Sequence, residues 1–339
     1  MLFNSSCGRL KAHLATGLLA AMAGLTAPLA GAQTPGSALP PDVEALLARA
    51  KVPRDALAAI VVDAAPALNG KSALLPPLLS YRASASMNPA SVMKLVTTYA
   101  GLELLGPSFT WTTPVYVDGT VKDGVLQGNL IIQGKGDPKL VLERLWLLLR
   151  RVQGLGIQTI AGDIVLDRSA FAAATQNPAD FDGEPLRPYN AGPDALLINY
   201  KSVLMTFVPN PGGGVAMVGF EPPLAGVQLQ ASVPLSAGTN GGASLAECGD
   251  YRTRLKADFS DPLRIAFNGS YPAACGEKTW AVAYADPASY AERAVAGLWQ
   301  EMGGKLGGRA REGRAAANQK PAFEMVSPTL AEVIRDINK

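Results

Sequence analysis

The distribution of glycine turns along the chain is the feature that most constrains its fold. From Thr112 onward, short β-prone runs alternate with glycine-containing turns, and one helical stretch, residues 140–152, interrupts them. Residues 202–284 are almost entirely strands and turns, whereas the two ends of the chain mix helices and strands. We therefore predict an α+β protein in which a β-rich module is inserted into a split domain.

Individual elements follow from hydrophobic spacing and from capping residues. Asp286 is placed to cap a helix over residues 287–302, and Ser327, followed by Pro328, is placed to cap the last helix. Two further helices are predicted over residues 42–50 and from Pro89 to about residue 105. The predicted strands cover residues 58–62, 78–83, 114–117, 129–132, 163–166 and 323–326.

The first residues indicate export. Arg9 and Lys11 precede an apolar run over residues 14–29, and the small residues Ala30-Gly31-Ala32 follow it. This order is typical of a cleaved secretory signal peptide, here residues 1–32. A membrane anchor is the alternative, but the run is short for a span and contains a proline. We therefore expect a periplasmic protein.

Removal of this segment changes the inventory of side chains. It takes two of the 30 basic residues and none of the 28 acidic ones, so the remaining charges balance. A balanced chain lacks the basic footprint of a nucleic-acid partner. His13, the only histidine, is also lost. A chain without histidine excludes a Ser-His-Asp triad, a Cys-His dyad and histidine-ligated zinc, and we expect no cofactor.

Two cysteines, Cys248 and Cys275, remain after Cys7 leaves with the signal. An even pair in an exported chain indicates a disulfide. Two reduced thiols are the alternative.

The segment from Asn88 to Lys94 carries the candidate chemistry. Asn88 suits an N-cap, Pro89 suits the first helical position, and Ser91 then falls in the first turn. Lys94 lies one turn later on the same face, where its amine can take the proton of the serine hydroxyl. The backbone N–H of Ser91 can supply half of an oxyanion hole. The structural alternative is an exposed Ser-Lys pair on a helix.

Residues 88–100 resemble the active-site helix of the class C low-molecular-mass penicillin-binding proteins, the D-alanyl-D-alanine carboxypeptidases/endopeptidases. The resemblance continues over residues 128–138, 162–167 and 181–202, and over the cysteine pair. It implies a penicillin-binding, serine β-lactamase-like domain split by an insertion. The first part of the penicillin-binding domain is then residues 33–110. The β-rich insertion is residues 111–319 and contains a nested subdomain over about 203–285. Residues 320–339 return to the first domain.

The resemblance also implies an activity. It predicts cleavage of peptidoglycan stem peptides through an acyl-enzyme at Ser91, with Lys94 as the base and with β-lactam antibiotics as acylating partners. Asp182 and Glu184, in a proline-rich loop, are candidates for contact with a substrate amine; solvated loop charges are the alternative. A β-lactamase and a non-catalytic cell-wall-binding module are the competing functions.

The sequence departs from the family pattern at two motifs. The family uses a Ser-x-Asn and a Lys-Thr/Ser-Gly strand, but Lys278-Thr279 is followed by Trp280, and Lys71-Ser72 by Ala73. Ser86-Met87-Asn88 has the spelling of Ser-x-Asn but lies too close to Ser91 to form a separate wall of a cleft. We therefore expect that the chain stops before these two elements. The sequence does not indicate an oligomeric state.

Overall fold

The computed structural model describes residues 38–63, 76–172, 176–236 and 248–339. The chain divides into two compact units, Met1–Ala90 and Ser91–Lys339. The predicted signal peptide and Lys71-Ser72-Ala73 lie outside the described residues.

The described part of the first unit contains one helix and one hairpin. Helix α1, Pro41–Ala50, begins with a proline and ends at Lys51 in the left-handed conformation. Strands β1, Ala59–Val61, and β2, Leu79–Tyr81, pair antiparallel. These elements confirm the helix and the two strands predicted for this region.

The second unit contains the remaining helices and strands. Its helices are α2 Met93–Leu105, α3 Leu142–Gly154, α4 Tyr251–Leu255, α5 Tyr290–Glu301 and α6 Leu330–Ile337. Its strands are β3 Thr112–Lys122, β4 Val125–Gln133, β5 Thr159–Ile160, β6 Ile164–Asp167, β7 Ser202–Asn210, β8 Val215–Glu221, β9 Gln228–Leu229, β10 Ser232–Ser236, β11 Ala257–Asp258, β12 Arg264–Phe267, β13 Tyr271–Pro272, β14 Lys278–Ala283, β15 Lys305–Leu306, β16 Ala310–Gly313 and β17 Phe323–Val326.

A seven-stranded sheet is built around the β3–β4 hairpin. Strand β17 pairs antiparallel with β3, while β5 and β6 pair parallel with β4 and are extended by β15 and β16. Helix α3 covers this sheet because its apolar residues recur every three to four positions, which places them on one face. The buried side chains of that face are Leu145, Leu148, Leu149 and Val152.

Two glycines face each other across the β3–β4 hairpin. Gly119 pairs with Gly128, and both have positive φ, +144° and +157°. A Cβ atom on Gly119 would collide with the carbonyl oxygen of Gln127, and one on Gly128 would collide with that of Asp118. The hairpin therefore requires glycine at both positions.

The β-rich module contains a five-stranded sheet of order β13-β10-β8-β7-β14 and a three-stranded sheet of order β11-β12-β9. Phe207 lies at the centre of its aromatic core, stacked on Tyr271 at 5.4 Å between ring centroids and edge-on to Phe267. Cys248 and Cys275 form a disulfide beside this core, as predicted from the cysteine pair.

Two predicted caps are corrected by the structure. The last helix is capped by Thr329, which accepts from the N–H of Glu332 in a capping box. Ser327 instead accepts a hydrogen bond from the N–H of Trp111 at 2.9 Å. The N-cap of α5 is Ser289 and not Asp286. The Asp286 carboxylate accepts hydrogen bonds from the N–H and the hydroxyl of Ser289 and so closes the turn before the helix. In the described ranges, we find no helix with the length and apolarity that a membrane crossing requires.

Candidate active site

Ser91 lies in a 3-10 turn, Ala90–Val92, immediately before α2. The prediction that the α-helix begins at Pro89 is wrong, because the α-helix begins at Met93. The Asn88 side chain accepts a hydrogen bond from the N–H of Ala90 at 2.9 Å and closes a local turn there. The serine therefore sits in the entry turn of the helix and not in its first α-helical turn.

The residue before Ser91 has an uncommon backbone conformation. Ala90 has φ of 43°, in the left-handed region. For an L-residue with a Cβ atom this conformation costs about 1–2 kcal/mol. Strained residues of this kind cluster at functional sites. The sequence carries no signal for this strain, because alanine is compatible with an ordinary helical turn.

Lys94 follows Ser91 by three residues, and both side chains are exposed to solvent. This spacing places two side chains in successive turns at the start of a helix. The structure thus locates both residues at one accessible end of α2, while the assignment of nucleophile and base stays a prediction.

Helix α6 packs against α2 further along the helix than Lys94. Thr98 is the buried residue of α2, and its hydroxyl oxygen accepts a hydrogen bond from the Asn338 side chain at 3.2 Å. The Leu330 side chain lies 3.9 Å from the Cβ position of Gly101. The last helix of the chain therefore supports the helix that begins beside Ser91.

The other faces of α2 are apolar and exposed. Val96 is 63% exposed, Tyr99 is 65% exposed and Leu104 is 83% exposed. Soluble proteins rarely leave a contiguous apolar surface in water, and such surfaces mark sites of protein contact. The hydrophobic composition of this helix does not by itself reveal which face stays uncovered.

The Lys278-Thr279-Trp280 segment has a structural role in the β-rich module. It lies on β14, where Thr279 pairs with Thr206 of β7. The Trp280 ring packs edge-on against Phe259 at 5.7 Å between centroids. This segment is therefore part of the five-stranded sheet, in line with its departure from the Lys-Thr-Gly pattern.

Asp182 and Glu184 bind within their own loop. The two oxygens of Asp182 accept from the Tyr189 hydroxyl and the Asn190 amide, each at 2.8 Å. The hydrogen bond from Tyr189 is the main cause that lowers the pKa of Asp182. Glu184 accepts from Arg187 at 2.7 Å. Both acids are exposed, and a contact with a substrate amine stays a prediction.

We find no metal-binding site in the part of the chain that the structure describes. There, no three His, Cys, Asp or Glu side chains come close enough together to hold an ion. The candidate chemistry at Ser91 relies on a serine nucleophile and an adjacent base, neither of which calls for a bound ion.

Two curated relatives match parts of the sequence. The D-alanyl-D-alanine carboxypeptidase DacB of Haemophilus influenzae is 36% identical over 96 residues, which are 28% of this chain and 20% of that protein. The D-alanyl-D-alanine carboxypeptidase of an Actinomadura species is 37% identical over 84 residues, which are 24% of this chain and 15% of that protein. The matched segments therefore span well under two thirds of either relative.

The structure is similar to that of penicillin-binding protein 4 from Haemophilus influenzae. The TM-score is 0.55 with 22% identity, over 76% of this chain and 55% of that one. This similarity shows a shared fold and confirms the fold class expected from the resemblance.

The sequence profile of one family covers most of the chain. It is the D-Ala-D-Ala carboxypeptidase 3 (S13) family, and its match extends over residues 40–339, from α1 through the serine turn and the β-rich module to α6. The chain belongs to the D-Ala-D-Ala carboxypeptidase 3 (S13) family.

Proposed function

We propose that the protein is a serine-type D-Ala-D-Ala carboxypeptidase/endopeptidase that acts on peptidoglycan stem peptides, with Ser91 as nucleophile and Lys94 as base. One observation carries the proposal. In a chain of this family, a Ser-x-x-Lys sequence occupies the exposed, strained entry turn of a helix.

The reaction proceeds in two steps. Lys94 is proposed to take the proton of the Ser91 hydroxyl while the serine oxygen attacks the carbonyl carbon of the peptide bond between the two D-alanines. The C–N bond then breaks, and Lys94 passes the proton to the nitrogen of the departing D-alanine, which regenerates the base. Water hydrolyses the resulting ester and restores the serine hydroxyl. The N–H of Ser91 is one donor available to the oxyanion.

The proposal includes an arrangement of domains and a compartment. Residues 33–110 and 320–339 contribute to one domain, and residues 111–319 form an insertion with a nested subdomain over about 203–285. The contact of α6 with α2 supports the return of the chain to the serine helix. Export by a signal peptide over residues 1–32 to the periplasm is supported by the Cys248–Cys275 disulfide, because disulfides persist in oxidising compartments.

A fluorescent penicillin tests the proposal, since a β-lactam would acylate the same serine. In the full-length gene product, we expect one label per chain, located on Ser91 by peptide mapping. Ser91→Ala should abolish labelling, whereas Ser86→Ala, which removes a nearby exposed hydroxyl, should leave it unchanged. Labelling that persists in Ser91→Ala would remove Ser91 from its role.

Two competing functions give different outcomes in the same assay. A β-lactamase would release hydrolysed penicillin with rapid turnover, whereas a carboxypeptidase would hold the label for many minutes. A non-catalytic wall-binding module would sediment with purified peptidoglycan without acquiring label.

A further inference from the structure

Helix α6 runs beside α2 in the opposite direction. Two backbone N–H groups at the start of α6 donate to the segment that follows α2. They are those of Leu330 and Ala331, which donate to the carbonyl oxygens of Phe109 and Pro107. At the other end of α6, Asn338 reaches Thr98, in the middle of α2. The C-terminal end of α6 therefore points toward the turn that holds Ser91.

Thr98 lies on the same side of α2 as the serine and the lysine. Ser91, Lys94 and Thr98 are spaced by three and then four positions, which places side chains on one face of a helix. Ser91 and Lys94 are exposed, whereas Thr98 is 8% exposed. This face is therefore open at the serine and covered one turn beyond the lysine, where α6 ends.

The contact at Thr98 is a hydrogen bond between two side chains. The Asn338 amide donates to the Thr98 hydroxyl oxygen at 3.2 Å, across 240 positions of the chain. The same hydroxyl donates within α2 to the carbonyl oxygen of Leu95 at 3.4 Å. A hydroxyl that donates within its own helix and accepts from another helix is held from both sides. The bond therefore limits rotation of α2 about its own axis.

The end of α6 is itself held by the loop between β4 and α3. The Lys139 ammonium pairs at 3.0 Å with the carboxylate of Asp336, two residues before Asn338. The N–H of Lys139 donates to the carboxylate of Asp137, which is 2% exposed. The N–H of Asn338 donates to the carbonyl oxygen of Ile334 and so continues the helix. Asn338 is therefore presented to α2 from a helix end that the neighbouring loop holds in place.

We infer that Asn338 is a positioning residue for the acyl transfer at Ser91. Its hydrogen bond to Thr98 sets the direction in which α2 presents the serine and Lys94. The inference rests on the proposed function, because it concerns the reaction of that serine. A small rotation of α2 would move both side chains relative to a bound substrate, and a displacement of about 1 Å can cost about 10²-fold in rate.

Stopped-flow acylation of the full-length protein by a fluorescent penicillin tests the inference. This measurement separates the dissociation constant of the first complex from the rate constant of acylation. Thr98→Val removes the hydroxyl and keeps the shape of the side chain. We expect the rate constant to fall about tenfold or more, while the dissociation constant stays within about twofold of its original value. Thr98→Ser keeps a hydroxyl at this position and should restore the rate constant.

The neighbouring threonine provides the matched control. Thr97 is exposed, and its hydroxyl donates within α2 to the carbonyl oxygen of Met93. Thr97→Val should leave both constants unchanged. An unchanged rate constant in folded Thr98→Val, or a rate constant that Thr98→Ser fails to restore, would overturn the inference.

A variant at the exposed partner tests the same bond from the other helix. Asn338→Leu should slow acylation as much as Thr98→Val does. The double variant should be no slower than either single variant, because all three proteins lack the same hydrogen bond. Losses that multiply in the double variant would show that the two residues act independently, which would contradict the inference.

Hydrogen exchange provides a readout that does not depend on the reaction. We expect the amides of residues 93–98 to exchange faster in Asn338→Leu, while those of β14 stay unchanged. Equal exchange of α2 in both proteins would overturn the inference even if the unmodified protein is labelled normally. Absence of labelling in the unmodified protein would instead contradict the proposed function, together with the role of Asn338 in it, so the two failures are distinguishable.

Discussion

The Tyr290 hydroxyl donates a buried hydrogen bond of 2.7 Å to the carbonyl oxygen of Ser202. Tyr290 is the first residue of α5 and Ser202 is the first residue of β7. The bond joins two positions 88 residues apart. It thereby connects the helix that packs near the seven-stranded sheet to the first strand of the β-rich module.

Replacement of this tyrosine should weaken the fold. We expect Tyr290→Phe to lower the free energy of unfolding by about 1 kcal/mol, because a buried carbonyl loses one donor while the Asn199 amide still donates to it. Urea denaturation followed by circular dichroism measures the change. Tyr99→Phe, at a tyrosine that is 65% exposed, is the control and should change stability by less than about 0.5 kcal/mol.

Alkaline pH should destabilise the protein through two buried tyrosines. Burial raises the pKa of Tyr271 to about 12 and also raises the pKa of Tyr290. In the unfolded chain these phenols ionise near pH 10, so the folded state binds more protons above that pH. Stability should therefore be constant up to about pH 10 and should fall as the pH rises toward 12.

Urea denaturation between pH 8 and 11.5 measures this decline. Tyr271→Phe should show a shallower decline than the unmodified protein, because one of the raised groups is absent. The same slope in both proteins would contradict the assignment of the effect to Tyr271.

The Cys248–Cys275 disulfide should stabilise the β-rich module. The two cysteines are 27 positions apart, and closure of such a loop is worth about 3–4 kcal/mol in the chain-entropy model. The double variant Cys248→Ser, Cys275→Ser should lose about this much in the free energy of unfolding. Thiol counting on denatured, unreduced protein should find neither of these thiols free, and two free thiols would contradict the pairing.

The start of α6 offers a test of the revised helix cap. Thr329→Ala should cost about 1 kcal/mol, because it removes the acceptor for the N–H of Glu332. Thr329→Ser keeps the hydroxyl and should stay within a few tenths of a kcal/mol of the unmodified protein. Thermal denaturation compares the three proteins. Equal losses for both substitutions would show that the methyl group, and not the cap, matters.

Lys94 should affect acylation without affecting the fold. We expect Lys94→Ala to slow labelling by fluorescent penicillin by about 10²–10⁴-fold, the range of a lost general base. Its circular dichroism spectrum should be unchanged because the side chain is exposed. Lys122→Ala, which removes another exposed lysine, should label at the normal rate.

Elements set by local sequence were predicted well. Strand β17, Phe323–Val326, has the predicted bounds, and the hairpin of β1 and β2 agrees to within a few residues. These segments have apolar runs and turn residues that determine their conformation without help from distant partners. The disulfide pairing also followed from the sequence, because only one pair is possible if Cys7 belongs to the predicted signal peptide.

Features that depend on distant residues were not predicted. By sequence, Ser327 is an ordinary helix-capping residue. In the structure its hydroxyl oxygen instead accepts a hydrogen bond from the N–H of Trp111, which is 216 positions away. A cavity that Arg168, Asn190 and Tyr284 line is assembled from segments far apart in the chain, so no local pattern could reveal it. The left-handed turn at Asn199, Tyr200 and Lys201 carries no glycine, which is the usual signal for that conformation.

The glycine pair in the β3–β4 hairpin also limits how the protein can evolve. At Gly313, an added Cβ would meet the Val165 side chain, so a smaller residue at position 165 could restore the space. At Gly119 and Gly128 the obstructing atoms are backbone carbonyl oxygens, which every amino acid carries. No second substitution can relieve that collision. Screens for suppressor mutations should therefore rescue alanine at position 313 and never at 119 or 128, where only reversion to glycine restores the hairpin.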